Sequence, residues 1–274
     1  MRAIMILAIA EFRAALRNRW VASAILLLAG LALALALVGS APVGNKAVSA
    51  MTVTAVSLAS LGVYLLPLLA LLLAHDAVVG DVERGTMLLL LTYPIARWQI
   101  LLGKFIGHLA VLVCATVLGY GAAAVLLGLS QGVAAADLAV FAGLIGTSIL
   151  FGAAFLALGY LVSSAVTERA TAIGVVIVVW LTSVVLFDLT LLGWLVADSE
   201  GAWTPIVLRA ALVANPVDAY RLINLTGFAD SRMVSGLAGL AEAAPPPAVL
   251  LVSLFCWTAL PLALAGWVFR RREP

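Results

Sequence analysis

Gly80-Asp81-Val82-Glu83-Arg84-Gly85-Thr86 is the stretch that decides the fold. It separates one long apolar run, ending near Ala74, from another that starts near Ile100. In a chain that is 65% hydrophobic, a charged break of this kind faces water or a protein partner. Met87 to Leu91 follow, then Tyr93-Pro94-Ile95-Ala96-Arg97 and Gly103-Lys104. Asp81, Glu83 and Arg84 carry charge, Gly85 permits a turn, and Thr86 stands where it can cap a new helix. A plain connecting loop would need neither the two acids nor the apolar run behind them. The segment reads as a short helix that lies along a membrane surface and offers charged groups to a soluble protein.

The rest of the chain agrees with a membrane setting. Only 10% of residues are charged, against about 25% in soluble domains, and the mean hydropathy is +1.21. Apolar stretches run over Val21–Val38, Ser57–Ala74, Ile100–Leu129, Leu138–Val162, Thr171–Leu192 and Ala248–Phe269. Each is long enough to cross about 30 Å of hydrocarbon. Backbone groups cannot stay unpaired in lipid, so such runs, lacking strict alternation, must be helices. The fold class expected is an all-α membrane protein with six transmembrane helices.

Basic residues orient it. With the N-terminus in the cytoplasm, Arg2, Arg13, Arg17, Arg19, Arg84, Arg97, Lys104, Arg169, Arg270, Arg271 and Arg272 all lie inside. Lys46, Arg209, Arg221 and Arg232 are left outside. Both termini are therefore expected in the cytoplasm. The formal charge of +2 reflects this asymmetry and does not suggest a nucleic-acid partner. Trp20, Trp98 and Trp267 sit beside inner basic residues as an aromatic belt. The first apolar run is longer than the core of a signal peptide and is read as a retained span.

Organisation follows from the polar stretches. Residues 1–274 read as a single transmembrane domain. Within it, 2–19 form an interfacial helix, 77–99 a cytoplasmic segment and 193–247 an outer loop. In the first of these, Met5, Ile9, Phe12, Leu16 and Trp20 make an apolar stripe, with Glu11 and Asn18 on the opposite face. Such a helix rests in the headgroup region against membrane lipid, and its flanking arginines favour anionic lipid. In the outer loop, Pro205 and Pro216 suggest starts of short helices. Pro67 and Pro261 should loosen the second and sixth spans. Cys114 and Cys256 fall within spans as small packing residues.

No chemistry of an enzyme is visible. Lys46 and Lys104 lack the glycines and following hydroxyl of a phosphate loop. There is no His-Glu-x-x-His, no Cys-x-x-Cys and no methionine ladder for copper. Catalytic, cofactor-binding and metal residues are therefore expected to be none. His75-Asp76 at the end of the second span and His108 near the start of the third read as interfacial. Asp188, late in the fifth span, could cap an outer cavity.

At Glu83-Arg84-Gly85-Thr86, Leu89-Leu90, Tyr93-Pro94-Ile95-Ala96-Arg97 and Leu102-Gly103-Lys104 the chain resembles the permeases of type-2 ABC exporters, with the type V fold. The resemblance implies an N-terminal interfacial elbow helix, a cytoplasmic coupling helix between spans two and three, and short outer helices between spans five and six. It also implies a second copy of the chain and a cytoplasmic ATPase dimer that binds the ATP and Mg. Asp81, Glu83, Arg84, Gly85 and Thr86 would then be the ATPase-coupling residues. The stretch Asn215 to Gly227 further looks like the outer loop of permeases that serve copper-site maturation of nitrous oxide reductase. That narrower resemblance implies a NosF-like ATPase and a periplasmic NosD-like protein, with Asn215, Asp218, Tyr220 and Arg221 as docking residues. It places the chain in the bacterial inner membrane. The alternatives are an exporter of a lipid, drug or sulfur-containing small molecule, and an ion-coupled carrier built on His75 and Asp76.

Overall fold

The structure, a computed structural model, describes residues 2–39, 50–131, 135–197, 204–226 and 245–272. Lys46, Asp198, Glu200, Trp203, Gly227, Asp230, Arg232 and Glu242, named above or within the outer loop, lie outside the described residues. Among the described residues every regular element is helical. In chain order they are α1 (Arg2–Arg17), α2 (Arg19–Gly39), α3 (Ala50–Ala74), α4 (Val79–Glu83), α5 (Thr86–Leu91), α6 (Arg97–Gln131) and α7 (Ala135–Ala165). Then come α8 (Arg169–Leu181), a π-helical turn (Thr182–Leu186), α9 (Phe187–Ala197), α10 (Thr204–Ala214), α11 (Pro216–Thr226) and α12 (Pro247–Arg271).

Six of these segments are long and apolar enough to cross a membrane: α2, α3, α6, α7, the continuous α8–α9 and α12. All six coincide with the expected spans. At 1.5 Å per residue α6 is about 52 Å long and α7 about 46 Å, so both extend beyond a hydrocarbon core of about 30 Å. α7 is the centre of the bundle. Phe151, Phe155, Leu156 and Tyr160 on it are fully buried, and α3 and α12 pack along its sides. Without water to drive burial, such contacts depend on close fit and small residues.

α1 shows how small residues set the packing. It lies against α6, where a side chain added at Gly103 would meet Leu7 Cβ at 2.7 Å, and one at Gly107 would meet Ala8 O at 2.7 Å. Two glycines one turn apart thus let the helices touch backbone to backbone. Met5, Ile9, Leu16 and Trp20 of the stripe remain exposed, while Ala8 and Ala15 are buried. Most of the stripe therefore faces away from the protein, but Phe12 is half-buried against the core, and Glu11 faces inward. The helix ends at Asn18, whose Oδ1 accepts the Trp20 N–H at 3.0 Å and caps α2.

Both interior prolines, Pro67 and Pro261, lie within continuous helices. Pro205 and Pro216 do mark the starts of α10 and α11. The expectation for Thr86 needs correction. The cap position of α5 is Gly85, in the left-handed conformation with φ 72°. The Thr86 hydroxyl bonds instead to Asp81, reaching Oδ1 at 2.9 Å. The two cysteines are free.

Candidate functional site

Two polar layers sit at opposite ends of the bundle. The first is at the end that carries α1, the α3–α6 connection, the α7–α8 junction and the tail of α12. Lys104 is its hub. Although on α6, it is only 4% exposed. Its ammonium lies 2.6 Å from Asp81 Oδ2 and also contacts Glu11 Oε1 on α1. Asp81 in turn accepts from Arg84 Nη2 at 2.9 Å. Arg84 reaches Asp76 at 3.3 Å; Asp76 Oδ2 accepts from Arg169 Nη2 at 2.9 Å, and Oδ1 lies 2.7 Å from Arg169 Nε as an ion pair. Three acids and three bases thus form one chain of ion pairs from α1 to α8. A charge placed this deep is tolerated only when paired in this way.

Hydrogen bonds to helix ends complete the brace. Ser163 Oγ accepts the N–H groups of Val78 and Val79, at 3.0 and 3.1 Å, where the chain turns into α4. Glu83 Oε1 accepts the Arg169 N–H at 2.7 Å and supplies the cap that Glu168 does not. Arg97 donates to Phe269 O at 2.9 Å and Arg272 O at 2.5 Å at the end of α12. Arg272 donates to Ser163 O and Ser164 O, each at 3.3 Å. Burial in this layer lowers the pKa of Arg272.

His108 belongs to this layer and is covered by protein. It is buried, with Nδ1 2.7 Å from the Tyr160 hydroxyl. Its depth follows from α1, which covers that face of α6. His75 turns back on its own helix and bonds Leu72 O at 2.7 Å through Nδ1.

The five residues expected to engage a partner are thus placed differently from one another. Asp81 faces inward. Thr86 is half-buried against Asp81, and Gly85 forms the turn. Glu83 and Arg84 are exposed at the surface while holding α8 and the acids. Leu88, Leu89 and Tyr93 are exposed beside them. An amphipathic ledge results, charged at one edge and apolar at the other, standing on the ion-pair layer. A cavity of about 710 Å³ opens next to it, lined by Glu11, Asp76, Arg84 and Arg169 together with Leu69, Leu72 and Ile173.

The second layer surrounds α11 at the far end. Asn215 starts that helix, its Oδ1 accepting the Val217 N–H at 3.0 Å. Its Nδ2 donates to Ser183 O in the π-helical turn at 3.0 Å and to Asp218 Oδ2 at 3.2 Å. Tyr220 stacks on Phe151 with ring centroids 4.3 Å apart, and its hydroxyl lies 2.9 Å from Ser148 Oγ. Thr147 Oγ1 donates to Asn224 Oδ1 at 3.0 Å. Arg221 joins Asp188 at 2.9 Å and Asp218 at 3.0 Å.

Of the four residues expected to dock an outer partner, Asn215, Asp218 and Tyr220 are buried and Arg221 is half-buried. In this chain α11 is inserted between α3, α7 and α12. Burial pushes the Asp218 carboxyl up to about 6, against the pull of Arg221 and with a further push from Asp188. Burial also raises the Tyr220 hydroxyl above its usual range. Sequence reasoning missed the partners on the spans, Ser148, Phe151, Ser163 and Tyr160, because they are polar or aromatic residues scattered in apolar runs. The one available signal was Asp188, an acid in a span that has to find a base.

Comparison with known proteins accords with this architecture. A family profile described as ABC-2 family transporter protein matches residues 5–273. The "Probable ABC transporter permease protein NosY" of Pseudomonas aeruginosa is 46% identical over 265 residues, 96% of each chain. The protein of the same name from Stutzerimonas stutzeri is 45% identical over 265 residues, again 96% of each. With six spans, a braced ledge after the second and a pair of short helices after the fifth, the chain belongs to the ABC-2 family of transporter proteins.

Proposed function

We propose that this chain is the membrane half of an ABC complex in which two copies stand on a NosF-like ATPase dimer. ATP and Mg are bound by the ATPases, and this subunit catalyses nothing. In this reading the basic end of the bundle is cytoplasmic, in keeping with the positive-inside rule, with both termini inside and the chain in the bacterial inner membrane. α1 is the elbow helix, with its exposed stripe in the headgroup region. The ledge from Glu83 to Tyr93 enters a groove on the ATPase. Glu83, Arg84, Gly85 and Thr86 shape that contact, and Asp81 ties it to Lys104.

One observation carries the reading. The ledge exposes large apolar side chains, Leu89 at 66% and Tyr93 at 63%, beside a network that joins α1, the connection between α3 and α6, α6 itself and α8. A surface both adhesive and rigidly braced suits the transmission of force. The kinship with NosY permeases supports placing the output on the periplasmic side, in copper-site assembly of nitrous oxide reductase with a NosD-like partner. Because α11 is buried, that partner meets the outer end through neighbouring surface, and α11 shapes it from beneath.

The test is affinity purification from native membranes of the unaltered chain and of Leu89→Asp. Leu89 makes no internal side-chain bond in the described structure, so the substitution leaves the fold intact. The unaltered chain is expected to bring down a Walker-motif ATPase and a periplasmic protein. Leu89→Asp is expected to lose the ATPase. Full retention of the ATPase by the variant would remove the ledge from the interface.

A second reading has its own support. The mixed polar and apolar cavity beside α3 suits an amphipathic cargo, as in an exporter of a lipid or small molecule. ATP hydrolysis stimulated by such a cargo, with no periplasmic protein present, would favour it.

A further inference from the structure

Among the described residues span five is the least covered of the six, yet its two ends are held by specific polar contacts. At the inner end Arg169 is fastened three times. Its N–H goes to Glu83, and its guanidinium makes two contacts with Asp76. Both acceptors belong to the connection that carries the ledge. Between the ends, Ala172, Val176 and Val184 are buried, and Trp180 Nε1 donates to Tyr64 O at 3.1 Å on α3.

At the outer end the attachment depends on a change of helix type. In the π-helical turn Thr182–Leu186, backbone bonds run to the fifth residue instead of the fourth. Such a turn frees a carbonyl for an outside donor. Ser183 O takes Asn215 Nδ2 at 3.0 Å. Five residues on, Asp188 Oδ2 takes Arg221 Nη2 at 2.9 Å. Both donors are on α11, at its first cap and in its second turn. From Arg169 to Asp188 the helix rises about 28 Å, close to the thickness of the hydrocarbon core.

From this geometry we infer that span five is a strut that carries displacement of the ledge across the membrane to α11, with Asn215, Asp188 and Arg221 as the positioning residues at its outer joint. The inference rests on the proposed coupling role of the ledge. Within its own chain this helix has little lateral cover to oppose a lengthwise shift, whereas its end contacts are charged, bidentate or made to a freed carbonyl. α11 receives the displacement along one side only. On its other side Tyr220 and Asn224 are held by α7 through Phe151, Ser148 and Thr147. Movement of span five against α7 therefore tilts α11 rather than dragging the bundle with it. The outer surface above α11 then changes with the nucleotide state.

The experiment uses the whole complex with its co-purifying ATPase in lipid nanodiscs. Cys114 and Cys256 are replaced by serine, and one reporter is introduced as Ala214→Cys, at an exposed position just before α11. Its labelling by a membrane-impermeant maleimide is timed with and without ATP. The expected result is an ATP-dependent rate ratio in the parent. Asn215→Ala and Asp188→Asn should each shrink it by about two- to tenfold, while ATP hydrolysis and ATPase retention persist. The paired change Asp188→Arg with Arg221→Asp should recover part of the ratio lost in Asp188→Arg alone, which a merely unfolded outer end would not do. An undiminished ratio in Asn215→Ala and Asp188→Asn would overturn the strut. So would a parent that hydrolyses ATP with no change in labelling. Failure of the underlying reading looks different: no ATPase would accompany the chain at all.

Discussion

Replacing Lys104 by methionine keeps the length of the side chain and removes its charge. Two carboxylates then lose their shared partner. Asp81 keeps Arg84 at 2.9 Å and the Thr86 hydroxyl at 2.9 Å. Among the described residues Glu11 keeps only His108, at 3.8 Å, a distance too long for a strong bond. At an effective dielectric of about 20, a unit pair at 2.6 Å gains about 6 kcal/mol before desolvation. Burying the ammonium takes back several kcal/mol of that for each ion. The residual loss on removing one buried partner is about 3 kcal/mol, at the lower end of the usual range because Asp81 keeps other donors. For a chain of this size that corresponds to a fall of about 6–12 °C in unfolding temperature. The assay is thermal unfolding of purified protein in mild detergent at neutral pH, followed by intrinsic fluorescence. Adding Glu11→Leu to Lys104→Met removes the stranded acid and should return at least about 1 kcal/mol, a coupling that a double-mutant cycle reads directly. If Lys104→Met unfolded within about 1 °C of the parent, or if the two changes were strictly additive, the picture of Lys104 as hub of the inner layer would be refuted.

Two further outcomes follow from the packing and the outer layer. Gly107→Leu should separate α1 from α6, since even a methyl group there meets the Ala8 carbonyl oxygen at 2.7 Å; protease cleavage within residues 2–17 in vesicles should rise severalfold, while Gly121→Leu, where a methyl group meets nothing within 4 Å among the described residues, should leave it unchanged. The Asp218 carboxyl, ordinarily at 3.8 and lifted to about 6 in the fold, holds its proton more tightly folded than unfolded. Its contribution is therefore greatest at low pH and is lost as pH rises through about 6. Relative to Asp218→Asn, the parent should gain about 1 kcal/mol between pH 7.5 and pH 5, measured as the difference between their unfolding temperatures; a difference independent of pH would remove the raised acid.

How much of this could be read in advance divides along a physical line. Long apolar runs announce themselves, because each must hide about twenty residues from water by itself. All six spans were therefore legible, as were the prolines at the starts of α10 and α11. The ledge was legible as a break, since charges following Ala74 leave the membrane. What the break did with its charges was not. A sequence shows that Asp81 is charged but not that Lys104, on another helix, lies beneath it. The expectation that Asp81, Glu83, Arg84, Gly85 and Thr86 engage a partner came from the charged break and the resemblance, neither of which shows which of them face inward. Its inward side is set by four other elements that are distant in sequence.

The outer helix gives the sharper lesson. Asn215, Asp218, Tyr220 and Arg221 are polar, lie in a connection, and so read as surface. Yet the spans around them hold their complements: Ser183 with its freed carbonyl, Asp188, Ser148 and the ring of Phe151. Taken alone, Asp188 is an anomaly in a span with little cover, while Ser148 and Phe151 are ordinary buried residues of α7. Taken together they are a socket. Polar atoms in a transmembrane helix cost several kcal/mol unless partnered, so Asp188 in a span is in effect a demand for a base from elsewhere in the chain. Among the described residues beyond span five, Arg221 stands at the position that meets it, and the same logic reaches Asn215 through the carbonyl released by the π turn. The outer loop is therefore better read by asking what the spans lack than by asking how polar the loop is. By that reasoning the contacts that carry α11 are those that make span five tolerable in the membrane, and loosening them should cost stability and transmission together.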